Sequence, residues 1–172
     1  MRIADCGMRN ENKKREIKIA LCVLFMLCFL RSWPAWGANA DATTLAGVDG
    51  FRVEIGAISK TALKLGVDES RLLAVTRERL RRAALPVGDF PAVLLVSLRT
   101  VAHPTEVLAY SLEVEVRQVV HLVRTQQIQL LAPTWANGTL TMVTRTSFVR
   151  SVEDALAGLL DDLVRDYRLV NQ

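Results

Sequence analysis

Hydrophobic and polar residues alternate along this chain in two distinct rhythms, and the rhythm marks each element. Residues 50–55 set Phe51, Val53 and Ile55 against Arg52 and Glu54, a period of two that predicts a first strand. Residues 57–65 are ambiguous between a loop and a short helical turn, closed by Gly66. Leu72, Leu73, Thr76, Leu80, Ala83 and Ala84 then recur at spacings of three and four, which predicts a helix. Asp68 is its N-cap, Val67 and Leu72 form a hydrophobic staple across the cap, and Pro86 stops it. Residues 92–101 are almost wholly apolar and then alternate, as suits a central strand covered on one face. His103-Pro104-Thr105 reads as a turn.

Residues 109–124 carry the clearest alternation. Tyr110, Leu112, Val114 and Val116 share one face; Ser111, Glu113, Glu115 and Arg117 share the other. Past Gln118 both parities become apolar, which predicts a bulge or a newly covered face. Gln126 and Gln127 make a polar break. Residues 128–135 predict a strand interrupted by Pro133, Asn137-Gly138 predicts a turn, and residues 139–146 pair again or extend it. A last helix carries the stripe Phe148, Val152, Ala155, Leu156, Leu159, Leu163 and Tyr167. Ser151 and Asp154 have capping-box spacing, although the pattern also allows a start near Ser147. The order β-α-β-β-β-α predicts an α+β two-layer sandwich: an antiparallel sheet of about four strands with two helices on one face.

Ahead of this domain stands a different segment. Lys13, Lys14, Arg15 and Lys18 precede the apolar run 19–30, and Arg31 closes it. Twelve apolar residues suit an export signal, whereas a spanning helix needs roughly 20. The small residues Ala38-Asn39-Ala40 place cleavage between Ala40 and Asp41. The expected organisation is a signal peptide over 1–40, starting at Met1 or Met8, and one domain over 41–172. Leu21 and Leu27 precede Cys22 and Cys28, where lipid attachment requires a small residue, so both cysteines read as apolar residues of the signal helix.

Charge follows the same division. Of 22 Lys+Arg and 18 Asp+Glu, the first 40 residues hold 7 and 3, leaving 15 of each sign downstream. The basic balance belongs to the leader, and net charge gives no footprint for nucleic acid. All three cysteines lie there as well, so the mature domain would have no disulfide, thiol nucleophile or thiolate metal site.

Candidate chemistry is sparse. No nucleophile elbow, phosphate loop or metal-ligand spacing occurs, and no cofactor, metal or catalytic residue is expected. Glu113, Glu115, Arg117 and His121 share a polar strand face that reads as a solvated or binding surface. Along one strand, Glu115 and His121 stand roughly 20 Å apart, too far to act together. His103 is read as exposed in its turn. The Arg77, Arg79, Arg81 and Arg82 cluster reads as a solvated helix face balanced by nearby carboxylates. Trp135 is either a core aromatic or an anchor for a partner.

An opening Leu45-Ala46-Gly47-Val48-Asp49-Gly50-Phe51, a helix ending Leu80-Arg81-Arg82-Ala83 and the strand from Tyr110 to Gln118 resemble a group of uncharacterised exported bacterial proteins. The Thr134-Trp135 pair and the ending Asp166-Tyr167…Asn171 belong to the same resemblance, which spans most of 45–172. It implies a periplasmic or secreted single-domain protein of the bacterial envelope and carries no activity with it. The expected function is a non-enzymatic module that binds an envelope protein or component, through the polar strand face or a sheet edge. The alternatives are a small hydrolase or lyase with its site assembled across the fold, and a membrane-associated protein held by an uncleaved leader. Membrane contact is expected only in that last case.

Overall fold

The computed structural model describes residues 42–102 and 106–171. The chain divides into two units, Met1–Trp36 and Gly37–Gln172, and all described residues fall in the second. The leader, the cleavage position at Ala40 and Asp41, and the turn at His103 lie outside the described residues.

A 3-10 turn (Ala42–Leu45) opens the domain. It is followed by β1 (Arg52–Ile58), the short helix α1 (Lys60–Lys64) and α2 (Glu69–Arg82). Then come β2 (Val93–Ala102), β3 (Val107–Leu122), β4 (Thr125–Thr144) and α3 (Phe148–Val170). The four strands form one sheet in the order β1-β2-β3-β4. The fold is α+β, and the element order is the expected one with a second, short helix, α1, added after β1. The sheet is mixed where an all-antiparallel one was expected: β2–β3 and β3–β4 are antiparallel, but β1 runs parallel to β2. The chain crosses over through α1 and α2 before re-entering the sheet, and such a crossover returns it in the same direction.

The helix signals operate as read. Asp68 accepts the Arg71 N–H at 2.8 Å and the Ser70 hydroxyl at 2.7 Å, capping α2. Leu72, Thr76 and Leu80 are its buried residues, and Thr76 satisfies its hydroxyl on the Leu72 carbonyl at 2.8 Å. Gly66, at φ +89°, ends the α1 turn in the left-handed region that glycine enters without cost. At the end of α2 the same conformation falls to Ala84, at φ 59°, with Leu85 N–H closing back onto the Leu80 carbonyl.

The capping-box spacing at Ser151 is not used, and the earlier start near Ser147 that the pattern also allowed is the one adopted. Helix α3 begins at Phe148, and Ser151 instead meets the Tyr110 hydroxyl on β3. The buried stripe of α3 is also wider than read, gaining Leu160 and Val164. The helix packs on the sheet, on α2 and on the 3-10 turn, so more of its circumference is covered.

The largest correction concerns β4. The turn expected at Asn137-Gly138 is absent: one strand runs from Thr125 to Thr144, and the interruption expected at Pro133 takes the form of a bulge within it. Asn137 and Gly138 pair with Val114 and Glu113. Gly138 serves close approach, since a Cβ there would lie 3.1 Å from the Leu112 carbonyl oxygen. Pro133 is tolerated because β4 is the edge strand and its register slips by one residue at Thr134, a bulge. The hairpin turn falls at residues 123–124.

The core lies between the sheet and the helices, around Trp135, Tyr110, Phe51 and Phe148. Two edge-to-face ring pairs order it: Phe51 with Tyr167 at 5.8 Å and Tyr110 with Phe148 at 5.7 Å.

Candidate functional surface

Among the described residues the helices cover one face of the sheet and leave the other open. The register lays out that open face in rows. Arg52, Val93 and Arg117 stand side by side on β1, β2 and β3, and the next row is Glu54, Leu95 and Glu115. Arg52 donates to Glu54 at 3.0 Å and Arg117 to Glu115 at 2.8 Å. Val93, between the two arginine stems, is buried although no helix covers it. Three of the predicted candidates thus share the face as read, but Glu115 and Arg117 are occupied with each other. Glu113 is exposed in the next row, opposite Gly138.

His121 stands apart from them. The last residue of β3 to pair with β2 is Arg117, opposite Val93. Beyond it, β3 and β4 continue as a two-stranded arm, residues 118–132, and His121 sits there opposite Gln129. Apolar residues nevertheless occupy both parities past Gln118. No covered face begins there. Both faces of the arm are open, with Val119 and Leu131 on one side, Leu130 and Ile128 on the other, all exposed, and Val123 at the tip 96% exposed.

Trp135 is a core residue, 2% exposed, and its indole N–H donates to Asp166 at 3.1 Å. It lies in a knot at the base of the arm. Thr44 donates to the carbonyl of the bulge residue Thr134 at 2.8 Å, and Gln118 donates to the Thr44 carbonyl and the Thr134 hydroxyl, both at 2.8 Å. Tyr167 donates to the Val48 carbonyl at 2.7 Å, and the Asn171 carboxamide accepts the Gly47 N–H through its oxygen and donates through its nitrogen to the Leu45 carbonyl. The segment 44–48, the Thr134-Trp135 pair and residues 166–171, far apart in sequence, meet here. A cleft of about 190 Å³ runs between residues 47–50, Pro91-Ala92 and the root of the arm at Gln118-Val119.

A second cleft, about 390 Å³, is lined by Arg52, Arg77, Arg81, Leu85 and Val87. Its basic character is largely neutralised. Glu78 binds both Arg81 and Arg82, and these guanidinium bonds hold its carboxyl below the usual range. Arg52 also reaches Asp89 at 3.4 Å. Arg79 is drawn away to Asp161 on α3. Arg79, Arg81 and Arg82 are therefore ion-paired, while Arg77, which also lines the cleft, takes no part in these pairs.

No three His, Cys, Asp or Glu side chains among the described residues converge to hold a metal ion. Every buried side-chain polar atom among them has a hydrogen-bond partner. No helix among the described residues is long and apolar enough to cross a membrane.

Sequence reasoning did not identify the arm, nor a second apolar cluster at the opposite end of the open face. There Val101, Ala109 and Met142 form one row of the sheet, with Leu140 one step along β4. Leu140, Met142 and Val101 are 77%, 73% and 72% exposed. The available signal was composition: residues 125–144 contain no charged side chain, with Arg124 and Arg145 immediately outside.

No family model and no curated protein matches this sequence. Three solved chains match in structure. One is a minor lipoprotein from Acinetobacter baumannii, 11% identical, with the match covering 73% of this chain and 92% of that one at a TM-score of 0.35. It is a distant likeness from which no activity follows.

Proposed function

We propose that this chain is an exported bacterial envelope protein whose folded domain binds a protein partner and performs no chemistry of its own. The export pattern of residues 1–40 supports the location. One observation carries the binding reading: the arm of residues 118–132 extends past the sheet with apolar side chains exposed on both faces. Isolated two-stranded ribbons are marginal in water, and contiguous exposed apolar surface marks an interaction site. A protein partner fits better than lipid. Each strand of the arm has an outer edge that no described strand pairs with, and an added strand can bond to such an edge where hydrocarbon cannot.

The test is a photo-crosslinking residue placed at Val123 or Leu131 in the full chain, expressed with its own leader. The expected result is one adduct of defined mass from the envelope, lost when Val119 and Leu131 are both changed to Thr. The absence of an adduct from both positions across several growth conditions overturns the reading. Mass spectrometry of the same sample is expected to find a mature N-terminus at Asp41.

A further inference from the structure

The free edge of β4 combines three properties. It is long, Thr125–Thr144; it carries no charged residue; and it lies at the end of the sheet order, so no strand pairs with its outer side. Edge strands ordinarily discourage pairing with charges, prolines or bulges. On β4 these devices are confined to one part. Pro133 and the Thr134 bulge interrupt the middle, and the Asn137 carboxamide oxygen takes the Gly138 N–H at 2.8 Å. From Thr139 to Thr144 nothing among the described residues guards the edge.

The unguarded segment is also self-complementary. Read outward from Thr141, Leu140 on one side answers Met142 on the other, and Thr139 answers Val143. In an antiparallel pair about a two-fold axis at Thr141, apolar residues would oppose apolar ones and β-branched would oppose β-branched. With no charge in the segment, no like charges would meet, which is the usual penalty against pairing a strand with itself. Leu140 and Met142 lie on the open face beside Val101, so the axis would join two exposed apolar clusters into one.

We infer that the Thr139–Thr144 edge of β4 pairs antiparallel with the same edge of a second copy of this chain, giving a two-fold dimer with a continuous eight-stranded sheet. The paired segment is short, so the dimer is weak and rises with concentration. This surface lies at the other end of β4 from the arm, and the inference stands independently of the arm's partner.

The experiment places cysteine at Thr141, where the two copies would bring their Cα atoms to within about 5.5 Å, inside disulfide reach. The full chain with its own leader is expressed and treated with a mild oxidant. Wild type, with Cys6, Cys22 and Cys28, and Leu63→Cys, exposed on α1, are the controls. The expected result is a covalent dimer specific to Thr141→Cys, abolished by adding Leu140→Glu and Met142→Glu. Far-ultraviolet circular dichroism of that triple variant confirms an intact fold. A dimer no stronger than in the controls, one that survives the two glutamates, or an adduct with a different protein overturns the inference.

Discussion

The indole N–H of Trp135, on the bulged edge strand, donates to the Asp166 carboxylate on α3 at 3.1 Å. Asp166 also accepts from Arg165 at 3.3 Å. This bond fixes the base of the arm to the last helix beside the knot formed by Thr44, Gln118 and Thr134. Trp135→Phe keeps most of the buried ring and removes the donor. It is expected to cost about 1–3 kcal/mol, the range for a hydrogen bond to a charged group. Asp166→Asn retains an acceptor and should cost less. Urea denaturation of both variants checks the order.

Tyr110 provides the corresponding tie at the other end of α3, donating to the Ser151 carbonyl at 3.0 Å with the Ser151 hydroxyl 2.9 Å away. Tyr110→Phe preserves the edge-to-face contact with Phe148 and is expected to cost about 1 kcal/mol. Tyr110→Ala, which also empties core volume, should cost about 3–5 kcal/mol. Thermal unfolding separates the two.

Ala84 holds a left-handed conformation at the end of α2, where a Cβ is strained. Ala84→Gly is expected to stabilise the domain by roughly 0.5–1 kcal/mol, because relief of strain exceeds the added freedom of the unfolded chain. A rise in the unfolding midpoint of a few degrees is the expected reading.

Gly138 pairs with Glu113 where β4 approaches β3 closely. Gly138→Val would push branched atoms toward the Leu112 carbonyl oxygen, already 3.1 Å from where a Cβ would stand. The expected loss is about 1–3 kcal/mol, as for other overpacked sites. Gly47→Ala meets no neighbour within 4 Å, so it provides a contrast in which any loss comes from the positive φ alone.

Acid should weaken α2 first. The Asp68 carboxyl is held below its ordinary value by the Arg71 N–H and then the Ser70 hydroxyl; Glu78 is held low by Arg81 and then Arg82. A carboxyl lowered in the folded state contributes stability that is complete above its ordinary value. That contribution is lost as pH falls through the lowered one. Denaturation midpoints should therefore hold near neutrality and fall below about pH 4. Asp68→Ala should be less stable than wild type at pH 7, with the gap closing toward acid.

Much of the architecture was legible because local rules and burial agree along most of the chain. Tyr110, Leu112, Val114 and Val116 alternate because one face of β3 meets the helices, and Asp68 caps α2 through a bond spanning three residues. Misreadings arose where a distant partner changed the meaning of a local signal. Asn137-Gly138 ordinarily turns a chain. Here Asn137 reaches Asp162 on α3 at 3.0 Å, and Gly138 lets two backbones approach. Pro133 ordinarily ends a strand, but at a bulged edge its missing N–H costs no ladder bond.

By itself the sequence determined the α+β class, the start of α2 at Asp68, the core face of β3 and the concentration of excess basic charge in residues 1–40. Those features depend on residues a few positions apart, where periodicity and capping act. Tertiary structure decided that β1 lies parallel to β2, that β4 runs on as one strand through its bulge, and that β3 and β4 outrun the sheet as an arm. Each depends on which strand lies alongside which, and where that partner stops. The apolar residues 119–131 look the same in sequence whether they are covered or open; β2 beginning opposite Arg117 is what leaves them bare.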